Sequence, residues 1–436
     1  MKIRDFLEID FSLLFAAIIL TVFGILFVYS SGVTSEGVLV STEYFRQIIW
    51  AISGVIIALV IAMIDYRRLH DLSFYLFLGT LALLLYTGLF GRVVNNARAW
   101  IGIGPFGIQP SEFAKIITVV FLARFLADTN RTPHSFFRFL VSCIIVFLPM
   151  GLTLIQPDFG TSLVFIPILL VMTFIAGVSI KYVIFLSASI ALTCVLMVLP
   201  LWQSYILRKS LPFIMILTNQ RFVIITILAL SIIGVIALFG FIRYKKGYFF
   251  WILYTVAVVV FSLGASYVSH RVLKDYQIMR LIVFLDPDVD PRGAGWNIIQ
   301  SITAIGSGGL AGKGYLQGTQ SHYRFLPQQS TDFIFSIYTE EWGLLGGLLV
   351  FALFLLICLR LIRIMKLIND PFGMYIAAGL SAMFIFHFLI NVGMTMGIMP
   401  ITGIPLPFMS YGGSALISAM TGIGLSLSIY VRRFRH

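Results

Sequence analysis

Residues Phe11–Ser31 read FSLLFAAIILTVFGILFVYSS, a run without a single charge. At 1.5 Å per residue a helix of this length crosses a hydrocarbon core of about 30 Å. The run is too long for a signal-peptide core and lacks a small-residue cleavage site, so it reads as a retained first helix behind the charged segment Met1–Asp10. Eleven further apolar runs follow, at about 45–64, 72–90, 111–127, 137–155, 161–178, 181–201, 221–243, 249–269, 333–362, 374–395 and 412–431. Only backbone that satisfies itself survives in lipid, so each is expected to be a helix.

Composition agrees. Of 436 residues, 59% are hydrophobic and 11% charged, too few polar side chains to cover a water-exposed surface. The expected fold is all-α, a polytopic membrane bundle of about 12 transmembrane helices in a single domain, residues 1–436. Cys143, Cys194 and Cys358 lie in or beside apolar runs without CxxC spacing, which argues for packing against a disulfide framework or zinc site.

Basic residues orient the bundle. With the N-terminus cytoplasmic, the inner segments hold Arg67, Arg68, Arg124, Arg131, Arg138, Lys181, Arg243, Lys245, Lys246, Arg360, Arg363, Lys366, Arg432, Arg433 and Arg435, and both termini are cytoplasmic. The segment 270–332 is then a large extracytoplasmic loop before the last three helices, too polar and too Gly-rich to span. It carries Arg271, Lys274, Arg280, Arg292, Lys313 and Arg324, against the usual bias; either it binds something anionic, or long loops translocate regardless of charge. Arg208, Lys209 and Arg221 are a second exception, readable as snorkelling side chains at helix ends.

Four stretches carry chemistry. In NNARAWIGIGPFGIQPSEFAK, Asn95–Lys115, Pro110 opens a helix, and Glu112 and Lys115 share a face three residues apart, where they either neutralise each other or line a wet cavity. Arg98 and Trp100 add an anion partner and an interfacial ring. In QPDFGTS, Gln156–Ser162, Asp158 sits where a helix cap is useful. In the long loop, Asp286, Asp288 and Asp290 alternate like a calcium loop, but Pro287 and Pro291 favour a turn. The glycines from Gly306 to Gly318 permit close backbone approach to a ligand without forming a nucleotide-binding fingerprint. Asp332 stands where this loop re-enters the membrane, either as a cap, alone or with Thr331, or as a desolvated proton acceptor. Glu340 and Glu341 follow two turns further in, placed to pair internally or accept a polar partner. The fourth stretch, NVGMTMGIMPITGIPLPFMSYGGS, Asn391–Ser414, is too rich in Pro and Gly for regular helix and must be buried against protein or lie at the surface.

Taken in order, NNARAW with QPSEFAK, QPDFGTS, LDPDVDPRGAGWNIIQS, GSGGLAGKGYLQGTQS, FLPQQSTDFIFSIYTEEWG and GIMPITGIPLPFMSYGGS resemble the SEDS family of shape, elongation, division and sporulation proteins, over most of the chain. The GTQS run, Gly318–Ser321, is similar to the elongation-type RodA branch rather than the division-type FtsW branch. The resemblance implies a peptidoglycan glycosyltransferase of the bacterial cytoplasmic membrane. Such an enzyme polymerises lipid II into β-1,4-linked strands during cell elongation and releases undecaprenyl pyrophosphate, with its active site toward the extracytoplasmic face. It implies Asp332 as the catalytic residue or a metal ligand, and Arg98, Gln109, Glu112, Lys115, Asp158 and Lys313 as substrate-binding. It further implies a divalent cation, Mg2+ or Mn2+, without a nucleotide, and as partners the growing strand, a class B penicillin-binding protein and the elongation machinery, without nucleic acid. The family core has ten spanning helices, so residues 181–248 read as an inserted helix pair. A lipid II flippase and a non-catalytic scaffold for the transpeptidase are the competing readings.

Overall fold

In a computed structural model of the chain, residues 9–94, 97–102, 107–207, 209, 211, 214, 217, 219–272, 275–291 and 293–433 are described. Asn95, Asn96, Arg208, Lys274, Arg292 and Arg435, named above, lie outside the described residues, as do the charges before Ile9. The fold is helical throughout, with one two-stranded hairpin. In chain order the elements are α1 (Phe11–Ser31), α2 (Glu43–Met63), α3 (Arg68–Phe90), β1 (Arg92–Val94), β2 (Ala97–Trp100), α4 (Pro110–Asp128), α5 (Phe136–Ile155), α6 (Phe159–Leu163) and α7 (Phe165–Ile175). They continue with α8 (Ile180–Trp202), α9 (Gln220–Tyr244), α10 (Gly247–Val272), α11 (Asp275–Leu285), α12 (Ala294–Ser307), α13 (Thr319–His322), α14 (Ile334–Leu367), α15 (Pro371–Thr395) and α16 (Gly413–Val431).

All twelve apolar runs form helix, and among the described residues ten helices are long and apolar enough to cross a membrane. The other two runs differ for physical reasons. Helix α4 carries Glu112, Lys115, Arg124 and Asp128, too many charges for a lipid-facing span. The run 161–178 is broken at Val164 into α6 and α7. The chain folds as two compact units, 1–178 with 297–436, and 179–296.

In the larger unit the helix ends near the termini are tied by arginines. Asp10 caps α1 and takes both guanidinium bonds of Arg360 at 2.7 Å, while Arg432 donates to Ala62 O and Met63 O at the end of α2. Buried Arg138 reaches Leu126 O and Ala176 O. Tyr66 donates to Asp370 at 2.9 Å; burial, then the Asp370 carboxylate, pushes its phenol up to about 12, so it remains a donor. At the opposite end the segment Ile401–Gly412 is buried rather than superficial. Gly24 of α1 makes room for it, since a Cβ there would stand 2.6 Å from Met409 O.

Helix α14 is interrupted at Gly343, whose φ of 63° is not helical. In an apolar setting the backbone groups freed by such a break must find partners. The glycine-rich loop supplies them: Lys313 N and Gly314 N donate to Glu340 O and Glu341 O, while Leu344 N and Leu345 N donate to Gly309 O and Leu310 O. A Cβ on Gly312, at φ 83°, would collide with Glu341 O. These glycines were expected to admit a ligand; the close approach is to the chain's own helix. The segment 270–332 also contains α11, α12, α13 and a 3-10 turn at Pro287–Val289, where Asp286 accepts from Asp288 N.

In the second unit, 179–296, α10 packs antiparallel to α9 and parallel to α8, and α11 follows. Tyr254 donates to Lys181 O and Ser262 to Ser189 O, fixing α10 on α8. The inserted pair expected at 181–248 thus packs together with the helix that follows it.

Substituting Val for Gly24 drives a branched side chain into the Met409 backbone. Overpacking of this kind costs about 1–3 kcal/mol, read as a lower unfolding temperature of the purified protein in detergent; an unchanged temperature would place the 401–412 segment elsewhere.

Candidate functional site

The first turn of α4 gathers most of the polar side chains singled out by sequence. Pro110 stands at the start of the helix, where its missing N–H is no loss, with Gln109 as the cap residue. Gln109 Nε2 donates to Asp158 at 2.6 Å and Ser111 Oγ donates to the same oxygen at 3.1 Å. The other Asp158 oxygen accepts from Thr161 N, so this carboxylate both caps α6 and clamps α4. One turn along, Lys115 Nζ lies 2.9 Å from Glu112, the two side chains 1% and 5% exposed. His387 of α15 completes the group, its Nε2 3.1 Å from Lys115 Nζ and its Nδ1 toward Pro405 O. The cavity beside this trio encloses about 20 Å³, room for one water.

Asp332 sits at the other side of the buried 401–412 segment. Ser410 Oγ donates to Thr331 O at 2.6 Å, Tyr411 N to Ser330 O at 2.8 Å, and Gln47 of α2 holds Ser410 O and Gly412 N. Past the segment, Ser414 Oγ accepts from Gln109 N and Ser418 Oγ donates to Glu112 O, so one connection braces both the α4 terminus and the approach to Asp332. Asn391 Nδ2 donates to Asp332 O and to Ile404 O, while Asn391 Oδ1 is buried without a partner among the described residues. Asn391 follows His387 by four residues, one turn along the same face of α15. The backbone of Asp332 is therefore fixed about one turn from the Lys115 group.

Asp332 stands one residue before the cap position of α14. The cap residue is Phe333, without a side-chain cap bond, and Thr331 Oγ turns back to Gln328. Asp332 itself is half-buried at the helix entrance.

The remaining expected residues lie apart from this group. Arg98, on β2 and exposed, donates to Leu89 O at 2.9 Å. Lys313 is 2.7 Å from Glu340, which also accepts from Thr319 N, Gln320 N and Ser321 N. The GTQS run is thus a turn wrapped on a buried carboxylate. Glu341 accepts from Ser30 Oγ and Leu316 N. Among the described residues no three His, Cys, Asp or Glu side chains gather as a metal site. His387 was not anticipated from the sequence; a lone ionisable residue inside an apolar run was the available signal.

A family model described as "Cell cycle protein", for FtsW, RodA and SpoVE, matches residues 11–213 and 205–434. The chain is 50% identical to the peptidoglycan glycosyltransferase RodA of Treponema pallidum over 99% of its own length and 100% of that protein's. It is 32% identical to the peptidoglycan glycosyltransferase MrdB of Escherichia coli, over 98% and 95%. A solved chain from "Structural coordination of polymerization and crosslinking by a peptidoglycan synthase complex" superposes with TM-score 0.65 at 26% identity, covering 98% of this chain and 99% of that one. The Rod shape determining protein RodA of Thermus thermophilus shares the fold, with TM-score 0.60 at 22% identity over 98% of both chains.

Removing one member of the Glu112–Lys115 pair leaves the other charge buried, at a cost of about 3–5 kcal/mol. Lys115→Met alone should therefore lower the unfolding temperature more than Glu112→Gln with Lys115→Met together; equal losses would make the pair incidental.

Proposed function

The chain belongs to the FtsW/RodA/SpoVE family, and we propose that this integral membrane peptidoglycan glycosyltransferase polymerises lipid II with Asp332 as its general base. The observation that carries the assignment is a half-buried carboxylate at the entrance of α14 whose backbone is pinned by Gln328 and Asn391. A fixed, partly desolvated carboxylate is what proton removal from a sugar hydroxyl requires.

In the reaction the acceptor 4-hydroxyl gives its proton to Asp332 as its oxygen attacks the anomeric carbon of the donor. The carbon–oxygen bond to the lipid pyrophosphate breaks, and a single displacement inverts the centre. Arg98, exposed and with one nitrogen on Leu89 O, offers its remaining N–H groups to the pyrophosphate. Lys115 and Glu112, sealed beside a one-water cavity, hold the α4 terminus and act as positioning residues. Gln109 and Asp158 join the rim of the substrate site in this reading, and Lys313 ties the glycine-rich loop to Glu340. A divalent cation would be held by the Asp332 carboxylate and would supply Lewis-acid stabilisation of the departing pyrophosphate; among the described residues no three His, Cys, Asp or Glu side chains gather to hold one.

The basic termini end faces the cytoplasm and the Asp332 end faces outward in this account, following the arginine bias. A crosslinking transpeptidase is the proposed partner, supported by the likeness to a chain of a peptidoglycan synthase complex. Translocation would need charges open to both ends, and the Glu112–Lys115 pair is closed.

Asp332→Asn keeps the size and hydrogen bonding of the side chain and removes its basicity. The variant should fold and insert yet polymerise labelled lipid II about 10²–10⁴-fold more slowly; near-normal strand synthesis would refute the base assignment.

A further inference from the structure

Within the second unit, the α8–α10 trio has a charge pattern unlike the rest of the chain. From Ser179 to Val272 there is no Asp or Glu, while Lys181, Arg243, Lys245 and Lys246 fall at one end of the α8–α10 trio and Lys209, Arg221 and Arg271 at the other, with Arg208 next to Lys209 in the sequence. These eight cations, without an acid among them, are two thirds of the net charge of +12. The spans of α8, α9 and α10 are only 22%, 17% and 22% buried, so they present wide apolar faces.

At the Arg271 end these helices enclose a cavity of about 430 Å³. Leu201, Val223 and Leu263 give it apolar walls, and Gln220, Tyr267 and Arg271 give it polar groups. Gln220 opens α9 and Arg271 lies in the last turn of α10, so the polar groups stand at the ends of apolar helices. Arg271 is oriented there by its own neighbours, with its guanidinium 4.7 Å over the Tyr267 ring and its Nη2 3.5 Å from Gln220 Oε1. Neither of these partners carries a negative charge, and no ion pair of Arg271 is formed among the described residues. A guanidinium fork held at the mouth of an apolar slot matches a phosphate with a hydrocarbon tail.

We propose that this cavity binds a membrane lipid bearing an anionic phosphate headgroup, with the phosphate on Arg271 and one chain along Leu201 and Leu263. The proposal does not depend on the glycosyltransferase reading. Basic pockets between spanning helices are the usual means of holding such lipids. It gives a function to a basic cluster that helix-end snorkelling alone leaves without a ligand. The shared chemistry admits two sources, an anionic glycerophospholipid and a polyprenyl phosphate.

Native mass spectrometry of the delipidated, full-length protein tests it, with phosphatidylglycerol, phosphatidylcholine or a polyprenyl phosphate added back singly. Retention of phosphatidylglycerol or of polyprenyl phosphate above phosphatidylcholine supports the site, and which of the two is held identifies the source. Arg271→Gln should lower that retention about tenfold, Arg271→Lys should keep most of it, and Arg243→Gln, at the other end of the trio, should leave it unchanged. Equal retention of phosphatidylcholine by the wild type, or wild-type retention by Arg271→Gln, overturns the proposal. Because Arg271→Lys preserves charge, a folding failure of the Gln variant still leaves the lipid-selectivity comparison decisive.

Discussion

A charge inside a hydrocarbon-bounded bundle must be neutralised where it stands, and the Glu112–Lys115 pair, 2.9 Å apart and almost wholly enclosed, is where this chain meets that requirement. The pair decides which helix can lie at the centre. Helix α4 is too charged to face lipid, so α3, α5, α15 and α16 pack around it, and His387 reaches in from α15. Once α4 is central, its N-terminus becomes the natural site for Gln109, Ser111 and Asp158 to interlock with α6.

The same need to satisfy polar groups explains the irregular segments. Helix α14 breaks at Gly343, and the freed backbone groups are met by the Gly309–Gly314 loop rather than by water. The 401–412 segment lacks helix because of its prolines and glycines, and its polar groups are met by Gln47, Ser410 and Asn391. Two pieces of non-helical chain at membrane depth are tolerated because each is enclosed by protein. The second of them holds Thr331 through Ser410, next to Asp332, whose own backbone is held by Gln328 and Asn391.

Sequence carried the twelve helical runs well, because uninterrupted apolar length is a strong and local signal. It also carried the Glu112–Lys115 pair, whose spacing of three residues needs no tertiary knowledge. Other features depend on neighbours distant in sequence. His387 gains meaning only when α15 lies against α4, from Lys115 at a separation of 272 residues. The glycines near Gly312 looked like a ligand approach, since a requirement for space does not say what fills it. The GTQS run looked like a family mark; its physical basis is Glu340, which accepts three of its backbone N–H groups. The loop before α14 hid α11 and α12, amphipathic pieces too short to read as spans.

On this view the bundle is a polymerase in its own right, with its base at the entrance of α14. The most direct test is to give the purified chain alone, without a transpeptidase, fluorescently labelled lipid II in liposomes and to resolve the products by length. Glycan strands of many repeats, formed from lipid II supplied only at the face opposite the termini, are the expected result. Movement of labelled lipid II between leaflets with no strands formed would contradict it and make the chain a transporter.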